Sequence, residues 1–326
     1  MHTTAIVCTS LDGPDGLQEQ TISITPPPAN HVRIRVLACA LNFMDTLVTR
    51  GRYQYRPDLP FSPSGEVCGI VEETGPGCTR LTVGQRVMGY IGWGGARAQL
   101  TAPEDRLVVV PDGISDEAAA GLSITYGTAL HGLSDRAQIR EGETVAVLGA
   151  SGGAGLAGVE IAKASGARVI AVASSEAKLR VCQEHGADEL VLADAKILRD
   201  ELKKHTGGVG VDCVYDCVGG ALAEPAVRAC AWRGRFLVVG FASGDIPKLP
   251  LNLLLLKGCS AVGVFWGRFV DEDTARYRGN MEQLLAWTAS GRLKPRVEDV
   301  RSLSDAADAL RDIAARRAVG KIILKP

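Results

Sequence analysis

The chain has 326 residues, of which 46% are hydrophobic and 22% charged, and its formal net charge is -1. This composition is typical of a globular protein with room for two domains, and it offers no basic excess for binding nucleic acid. The longest apolar run, residues 249–256, is too short to cross a bilayer, and residues 1–10 lack the basic start of a signal peptide. We therefore expect a cytoplasmic protein that spans no membrane.

The nine cysteines are odd in number, scattered along the chain and mostly inside apolar runs. Only Cys213 and Cys217 are close in sequence, and no C-x-x-C motif occurs. This pattern predicts buried free thiols in a reducing compartment, rather than a disulfide framework or a cysteine metal site.

Strand patterns dominate the first hundred residues. Short β-branched runs are separated by Gly, Pro and Asp, which predicts an all-β module, a small distorted barrel. Residues 42–63 interrupt it with a short helical piece and a loop whose charged and aromatic residues are Arg50, Arg52, Tyr53, Tyr55 and Arg56. A long irregular loop on a barrel is a usual place for binding groups.

From residue 116 onward, helix and strand patterns alternate. A Ser-Asp-Glu start followed by an alanine-rich run predicts a helix over residues 116–133. The alternation that follows predicts a doubly wound parallel sheet, closed at its edge by a last strand over 260–265. Helices over 271–291 and 306–315 and a final strand then return to the first module. We therefore assign residues 1–120 and 267–326 to one domain and residues 121–266 to an inserted domain.

A glycine-rich turn joins the first strand of the inserted domain, residues 144–148, to the helix that follows. Its sequence matches the dinucleotide-binding fingerprint, with alanine in place of the first glycine. Backbone N–H groups at the start of a helix suit a pyrophosphate, because the positive end of the helix dipole lies behind them. The residues of the turn expected to hold the cofactor are Ala150, Ser151, Gly152, Gly153 and Ala154.

The residues at the end of the second strand of the inserted domain determine whether a protein of this kind prefers NAD or NADP. An NAD enzyme places an acidic residue there, whereas this chain has Ala173-Ser174-Ser175, with Lys178 one turn into the next helix. A hydroxyl and an ammonium group can hold a 2′-phosphate that a carboxylate would repel, so we predict NADPH. The alternative is that Ser174 caps the helix and Lys178 is solvated.

Several motifs carry a resemblance that covers essentially the whole chain. They are LNFMD at 41–45, GRY at 51–53, EVCGIV at 66–71, TYGTA at 125–129, the glycine turn, and GKIIL at 320–324. The chain resembles the zinc-free quinone oxidoreductase branch, which includes zeta-crystallin, of the medium-chain dehydrogenase/reductase superfamily. The resemblance implies an α/β protein in which a GroES-like β-barrel domain, built from both chain ends, carries an inserted Rossmann domain, with a nicotinamide cofactor in the cleft between them.

The same resemblance implies chemistry without a metal. Zinc members of the superfamily carry a cysteine where this chain has Asn42 and a histidine where it has Gly65, and residues 89–103 contain no cysteine. Without a Lewis acid to polarise an alcohol, the expected reaction is hydride delivery to an activated acceptor, a quinone or an activated alkene. The alternative is a crystallin-type protein that binds NADPH with little turnover.

Two residues are expected at the reacting centre. The amide of Asn42 could bond the nicotinamide ribose or the substrate carbonyl, or Asn42 could simply cap a loop. Tyr53 matches a tyrosine that relatives place near the acceptor. A second tyrosine of some relatives is Leu47 here, so solvent could supply the proton.

The remaining cofactor contacts are expected at the carboxyl ends of the strands, where ligands bind in such sheets. For Phe265 and Trp266, edge packing or a subunit contact competes with this role. An apolar strand at a sheet edge, together with the resemblance, predicts a homodimer. The further residues expected at the cofactor are Thr128, Val218, Phe241, Ala242, Val264, Phe265, Trp266 and the phosphate-binding candidate Arg317.

Overall fold

The computed structural model describes all residues, 1–326. The chain forms two compact units. The first comprises Met1–Ile124, Gly267–Gly291 and Pro295–Pro326, and the second comprises Thr125–Trp266 and Arg292–Lys294. None of the helices has the length and apolar character required to cross a membrane.

Strands and helices follow one another along the whole chain. The strands are His2–Cys8 (β1), Leu17–Ser23 (β2), His31–Leu41 (β3), Glu66–Thr74 (β4), Arg86–Tyr90 (β5), Gln99–Pro103 (β6), Leu107–Val109 (β7), Thr144–Leu148 (β8), Arg168–Ala173 (β9), Glu189–Leu192 (β10), Val211–Asp216 (β11), Cys230–Val238 (β12), Ser260–Gly263 (β13), Val297–Ser302 (β14) and Lys321–Lys325 (β15). The helices are Phe43–Val48 (α1), Asp116–Ala120 (α2), Ser123–Leu130 (α3), Gly153–Ala164 (α4), Glu176–Glu184 (α5), Leu198–Lys204 (α6), Ala223–Ala229 (α7), Leu251–Lys257 (α8), Trp266–Glu272 (α9), Thr274–Ala289 (α10) and Ala306–Ala314 (α11).

The first unit is built on a seven-stranded sheet in which six strands follow the order β14-β15-β3-β4-β5-β7 and β6 pairs with β3. Strands β1 and β2 form a separate two-stranded sheet. The larger sheet takes its strands from both chain ends, as the GroES-like fold requires. The register pairs Ile322 with Leu41, Ala40 with Glu66, and Glu66 with Tyr90. One end of β15, β3, β4 and β5 is thereby aligned in a row across the sheet, and this row carries the polar groups of the candidate site.

The second unit is the predicted doubly wound sheet, and the Rossmann prediction is confirmed. Its six strands are parallel in the order β10-β9-β8-β11-β12-β13. The register pairs Leu148 with both Val172 and Asp216, and Val238 with Gly263. Because the strands are parallel and in register, every turn that follows a strand emerges at the same edge of the sheet.

The helix predicted over residues 116–133 is interrupted. The chain forms α2, then α3, and ends in a π-helical turn over His131–Arg136. Gly121 follows α2, and a Cβ at this glycine would lie 3.3 Å from Cγ of Lys321. At the break, Gly121 therefore leaves room for the stem of the buried Lys321.

Two further expectations need correction. The last strand ends at Gly263 rather than residue 265, because its neighbour β12 ends at Val238. Trp266 accordingly begins α9 and is not a strand residue. The helix predicted over 271–291 is two helices, since Asp273 caps α10 by accepting the N–H of Arg276 at 2.9 Å.

Candidate active site

The glycine turn after β8 has the shape of a cradle. Gly149 adopts φ +70°, a conformation that favours glycine. A Cβ at Gly155 would lie 2.1 Å from the carbonyl oxygen of Gly149, so only glycine lets the helix approach the strand. A Cβ at Gly152 would meet nothing closer than 3.5 Å. The carbonyl oxygen of Gly149 is at an ordinary contact distance from that point, and Gly152 is half-buried, so its backbone is partly exposed to a ligand.

The groups that face this cradle fit an anion. Helix α4 begins at Gly153, and its first turn carries N–H groups without helical partners and no acidic side chain. Ser151 is buried apart from 6% of its surface, and its hydroxyl makes no hydrogen bond within the chain. Donors of this kind, with the positive end of a helix dipole behind them, suit a pyrophosphate.

The turns after the neighbouring strands lie beside the cradle. The side chain of Val218 approaches Gly149, where an added Cβ would be 2.7 Å from its Cγ2. Buried Asp216 shapes this turn, because Oδ1 accepts the N–H groups of Val218 and Gly219 at 2.8 and 2.9 Å. Ala242 N–H donates to the carbonyl of Cys217 at 3.1 Å, so the Phe241-Ala242 turn is tied to the Val218 turn.

The other predicted cofactor residues of this unit differ in exposure. Thr128 is half-buried on α3. Val264 lies at the same edge as the cradle, because its N–H donates to Val238 O at 3.0 Å. Phe265 is exposed and Trp266 is buried, which leaves Phe265 as the aromatic side chain available at this edge.

Two of the three predicted phosphate-binding residues, Ser174 and Lys178, follow the end of β9. Ser175, rather than Ser174, caps α5: its Oγ accepts the N–H of Lys178 at 3.4 Å. Ser174 is exposed, and its hydroxyl has no partner within the chain. Lys178 is half-buried one turn further on. Arg317 belongs to the first unit, where both its Nε and Nη2 donate to Asp312 Oδ1 at 2.9 and 2.5 Å.

Asn42 lies in a buried polar network in the first unit. Its Oδ1 accepts from Nζ of Lys321 at 2.5 Å, and its Nδ2 donates to Oε1 of Glu66 at 2.9 Å. The same ammonium lies 2.6 Å from Glu66 Oε1, and Glu66 Oε2 accepts the N–H of Ile124 at 2.7 Å. Glu66 and Lys321 each belong to a sequence motif, EVCGIV at 66–71 and GKIIL at 320–324, but no local pattern links residues 42, 66 and 321.

Asp45 anchors the backbone around Asn42. Its Oδ2 accepts the N–H of Asn42 at 2.8 Å, and its Oδ1 accepts the N–H of Ser64 at 2.9 Å. Ser64 has φ +71°, a left-handed conformation that costs a non-glycine residue free energy. Burial raises the pKa of Asp45 from 3.8 to about 6, although these N–H groups and Lys321 lower it.

Tyr53 is half-buried against the apolar cluster of Cys8, Val48 and Phe61. Burial, followed by the charge of Asp45, raises the pKa of its hydroxyl, so Tyr53 remains a proton-bearing donor at neutral pH. Tyr90 is the last residue of β5 and lies at the end of the row formed by β15, β3, β4 and β5. No sequence motif pointed to this tyrosine.

Tyr55 lies beside Tyr53, and Tyr277 contacts the neighbouring β5. The rings of Tyr53 and Tyr55 are 6.0 Å apart, and the hydroxyl of Tyr55 donates to Asp271 Oδ2 at 3.2 Å. Burial raises the pKa of Tyr55 to about 12. Tyr90 N–H donates to the hydroxyl of buried Tyr277 at 2.8 Å.

The three arginines of the loop do not converge. Arg50 Nη1 donates to Thr46 O at 2.8 Å, and Arg56 Nε donates to Tyr53 O at 3.4 Å. Only the exposed side chain of Arg52 makes no hydrogen bond or ion pair within the chain. Arg52 is therefore the arginine of this loop that a ligand could meet.

Positions 42 and 65 do not carry the cysteine and histidine that would bind zinc. Asn42 and Gly65 stand where zinc relatives carry cysteine and histidine. No group of three or more His, Cys, Asp or Glu side chains is arranged to hold a metal ion. All nine cysteines are free thiols.

The fold and the cradle together define a nucleotide-binding oxidoreductase of the medium-chain dehydrogenase/reductase superfamily. Residues 28–112 match the alcohol dehydrogenase GroES-like domain family, and residues 153–289 match the zinc-binding dehydrogenase family. Within the superfamily, the chain belongs to the quinone oxidoreductase branch, as the resemblance predicted.

Relatives and solved structures support this assignment. The chain is 37% identical to quinone oxidoreductase-like protein 2 of Rattus norvegicus over 324 residues, which cover 99% of this chain and 92% of the relative. It is similar to a mycobacterial structure in complex with NADPH (30% identity, TM-score 0.91, 99% and 100% coverage). It is also similar to the Escherichia coli quinone oxidoreductase in complex with NADPH (27% identity, TM-score 0.91, 99% and 100% coverage).

Proposed function

We propose that the protein is an NADPH-dependent reductase that delivers a hydride to a quinone or an activated alkene. The observation that carries the proposal is the glycine turn at residues 149–155, with the uncapped N–H groups of the first turn of α4 and the adjacent hydroxyl of Ser151, which has no hydrogen-bond partner within the chain. The NADPH complexes of the two structural neighbours support the same cofactor.

The residues at the end of β9 favour NADPH over NADH. No carboxylate occupies residues 173–175, and the hydroxyl of Ser174 is exposed next to Lys178. A 2′-phosphate placed here would gain a charge-assisted hydrogen bond, whereas NADH offers only a hydroxyl. Arg317 is a weaker candidate for this role, because Asp312 already occupies its guanidinium.

When bound, NADPH supplies a hydride from nicotinamide C4. The residues of the chain then have to orient the acceptor and provide a proton. Tyr53 keeps its proton at neutral pH and can donate a hydrogen bond to an acceptor oxygen, because burial raises its pKa. Solvent is the alternative proton source. Since Asn42 and Gly65 replace metal-ligand types, we propose that the reaction needs no metal.

A second candidate function is NADPH binding with little turnover, because an intact cofactor cradle fits both. Oxidation of NADPH, followed optically with a panel of quinones, enones, haloacrylates and enoyl thioesters, separates the two. Turnover with at least one acceptor supports the reductase. Tight NADPH binding without oxidation across the panel favours the binding protein.

We also propose that the protein is a cytoplasmic homodimer. Edge strand β13 is mostly exposed, and Trp232, Leu251, Leu255 and Leu256 beside it are each more than 70% exposed. Trp232 packs on Gly258, which lies between α8 and β13, so the apolar surface is continuous with the edge. A second copy that pairs at this edge would cover it.

A further inference from the structure

Strand β12 is irregular at its amino end. Val211 on β11 pairs with Cys230, the first residue of β12. The next pair in the register is Cys213 with Arg235, so β12 carries a bulge between its residues 230 and 235. A Cβ at Gly234, inside this bulge, would lie 3.2 Å from Cβ of Cys230. The bulge therefore folds residue 234 back against Cys230.

The next strand brings a second cysteine to the same place. Arg235 pairs with Ser260 on β13, which places Cys259, one residue earlier, beside Gly234. Both cysteines belong to the apolar core of the second unit, in which Cys230 is fully buried and Cys259 is 8% exposed. The two thiols hydrogen-bond to each other. Because residue 234 is a glycine, no side chain at this position keeps the two sulfur atoms apart.

The surroundings make the two thiols unequal. A hydrogen bond from Cys230 lowers the pKa of Cys259 to about 7 against the effect of burial, and the charge of Lys257 adds to the lowering. The same hydrogen bond, together with burial, raises the pKa of Cys230. Lys257 is held at this site because its Nζ donates to Cys230 O at 2.7 Å. Cys259 is therefore the partly ionised thiol of the pair at neutral pH, and it is also the one that solvent reaches.

We propose that Cys259 and Cys230 form a dithiol site that reacts with hydrogen peroxide and closes reversibly to a disulfide. In the first step the Cys259 thiolate attacks a peroxide oxygen and the O–O bond breaks, which leaves a sulfenic acid on Cys259. The departing hydroxide takes up the proton that Cys259 had lost and becomes water.

In the second step the sulfur of Cys230 attacks the sulfur of Cys259 and the S–O bond breaks. The hydroxide that leaves combines with the proton of Cys230 to form a second water. The two thiols lose two electrons in total, and one hydrogen peroxide is reduced to two waters. A dithiol reductant returns the two electrons and restores both thiols by disulfide exchange.

This site is separate from the cofactor cradle. The two cysteines lie at the amino ends of β12 and β13, whereas the glycine turn follows the carboxyl end of β8. The proposal is therefore independent of NADPH, and its failure would leave the proposed reductase untouched. A disulfide here closes a loop of about thirty residues that includes α8. Because such a cross-link restricts the unfolded chain, we expect the oxidised protein to be the more stable form.

The test treats the reduced wild-type protein with a small excess of hydrogen peroxide and follows its intact mass and its peptide map. We expect a loss of about 2 Da, a cross-link between the peptides of Cys230 and Cys259, and a return to the starting mass with dithiothreitol. The melting temperature should rise by about 5 °C on oxidation.

Two variants separate the roles of the thiols. Cys259→Ala should form no cross-link. Cys230→Ala should accumulate a sulfenic acid on Cys259, which dimedone traps, because no second thiol is left to displace it. Cys78→Ser is the matched control, since Cys78 is more exposed than Cys259 but burial raises its pKa, and its thiol donates to His31 O at 3.2 Å. This control should form the cross-link as the wild type does.

Two results would overturn the proposal. One is a wild-type protein that keeps all nine thiols under these conditions. The other is a cross-link that joins different cysteines or that still forms in Cys259→Ala. A cross-linked protein that melts no higher than the reduced one would overturn the stabilising effect. The mass and peptide map of the wild type need no variant, so they decide the matter even where a variant fails to fold.

Discussion

Ser175 Oγ accepts the backbone N–H of Lys178 at 3.4 Å, so Ser175 is the residue that caps α5. The neighbouring Ser174 therefore does not cap the helix, and its exposed hydroxyl has no hydrogen-bond partner in the chain. The alternative in which Ser174 caps the helix is thereby excluded. The hydroxyl remains available for a 2′-phosphate beside Lys178.

Replacement of Lys178 by alanine should therefore raise the KM for NADPH with little change for NADH. Loss of a charged hydrogen bond costs about 2 kcal/mol, which corresponds to roughly a 30-fold increase. Steady-state kinetics with both cofactors measure it. Lys204→Ala, which removes an exposed lysine on α6 paired to Glu201, is the control. Equal increases for the two cofactors in Lys178→Ala would refute the phosphate assignment.

Tyr53→Phe should lower turnover of both a neutral quinone and a carboxylate-bearing alkene, because both acceptors lose the same hydroxyl donor. Arg52→Ala should affect only the anionic acceptor, since Arg52 is the one arginine of this loop whose side chain has no partner in the chain. Arg56→Ala serves as the control, because Arg56 is bonded to the Tyr53 carbonyl. Wild-type kinetics in both Tyr53→Phe and Arg52→Ala would show that the loop of residues 50–56 has only a structural role and does not contact the acceptor.

Activity should survive removal of metal ions. Dialysis against a strong chelator is expected to leave the rate of NADPH oxidation unchanged, and elemental analysis should find no stoichiometric zinc. The reason is the pair Asn42 and Gly65, neither of which offers a zinc ligand of the usual type. Stoichiometric zinc that is lost together with activity would contradict this prediction.

The protein should sediment as a dimer at micromolar concentration, and the double variant Leu255→Glu/Leu256→Glu should sediment as a monomer. Charges placed on the exposed apolar face of α8 would have to be buried without partners in the dimer. Val209→Glu is the control, because Val209 is 72% exposed in the loop that precedes β11. A monomeric wild type would refute the dimer, and dissociation caused by Val209→Glu would refute this location.

Asp45 should make the protein less stable as the pH rises through about 6. Burial raises its pKa from 3.8 to about 6, so the folded state binds the proton more tightly than the unfolded state does. This contribution is present at low pH and is lost above pH 6. Between pH 5 and pH 7.5 it amounts to roughly 1 kcal/mol of unfolding free energy.

Urea unfolding at these two pH values measures the effect. Asp45→Asn should lack this part of the pH dependence, and the difference between the two proteins isolates it from all other titrating groups. A pH dependence that is identical in both proteins would show that the carboxyl of Asp45 titrates in its ordinary range when folded.

Much of the second unit could be predicted from the sequence because its signals are local. The run from Thr144 to Leu148 and the glycine turn after it specify a strand, a tight turn and a helix within about twenty residues. The predicted boundaries of helices and strands were wrong where contacts with distant parts of the chain determine them. The α2–α3 break lies at Gly121, which packs against Lys321 two hundred residues away, and the end of β13 depends on where β12 ends.

The sequence by itself determined the order of elements, the two-unit organisation with strands from both chain ends, and the residue types available for a dinucleotide, since each follows from short-range periodicity and turn chemistry. Only the tertiary structure decided which of those residues meet. Antiparallel pairing of β15 with β3 and of β3 with β4 brings residues 321, 42 and 66 together, although 255 residues separate Glu66 from Lys321. Strand register is a long-range property, and the orientation of the Asn42 amide follows from it.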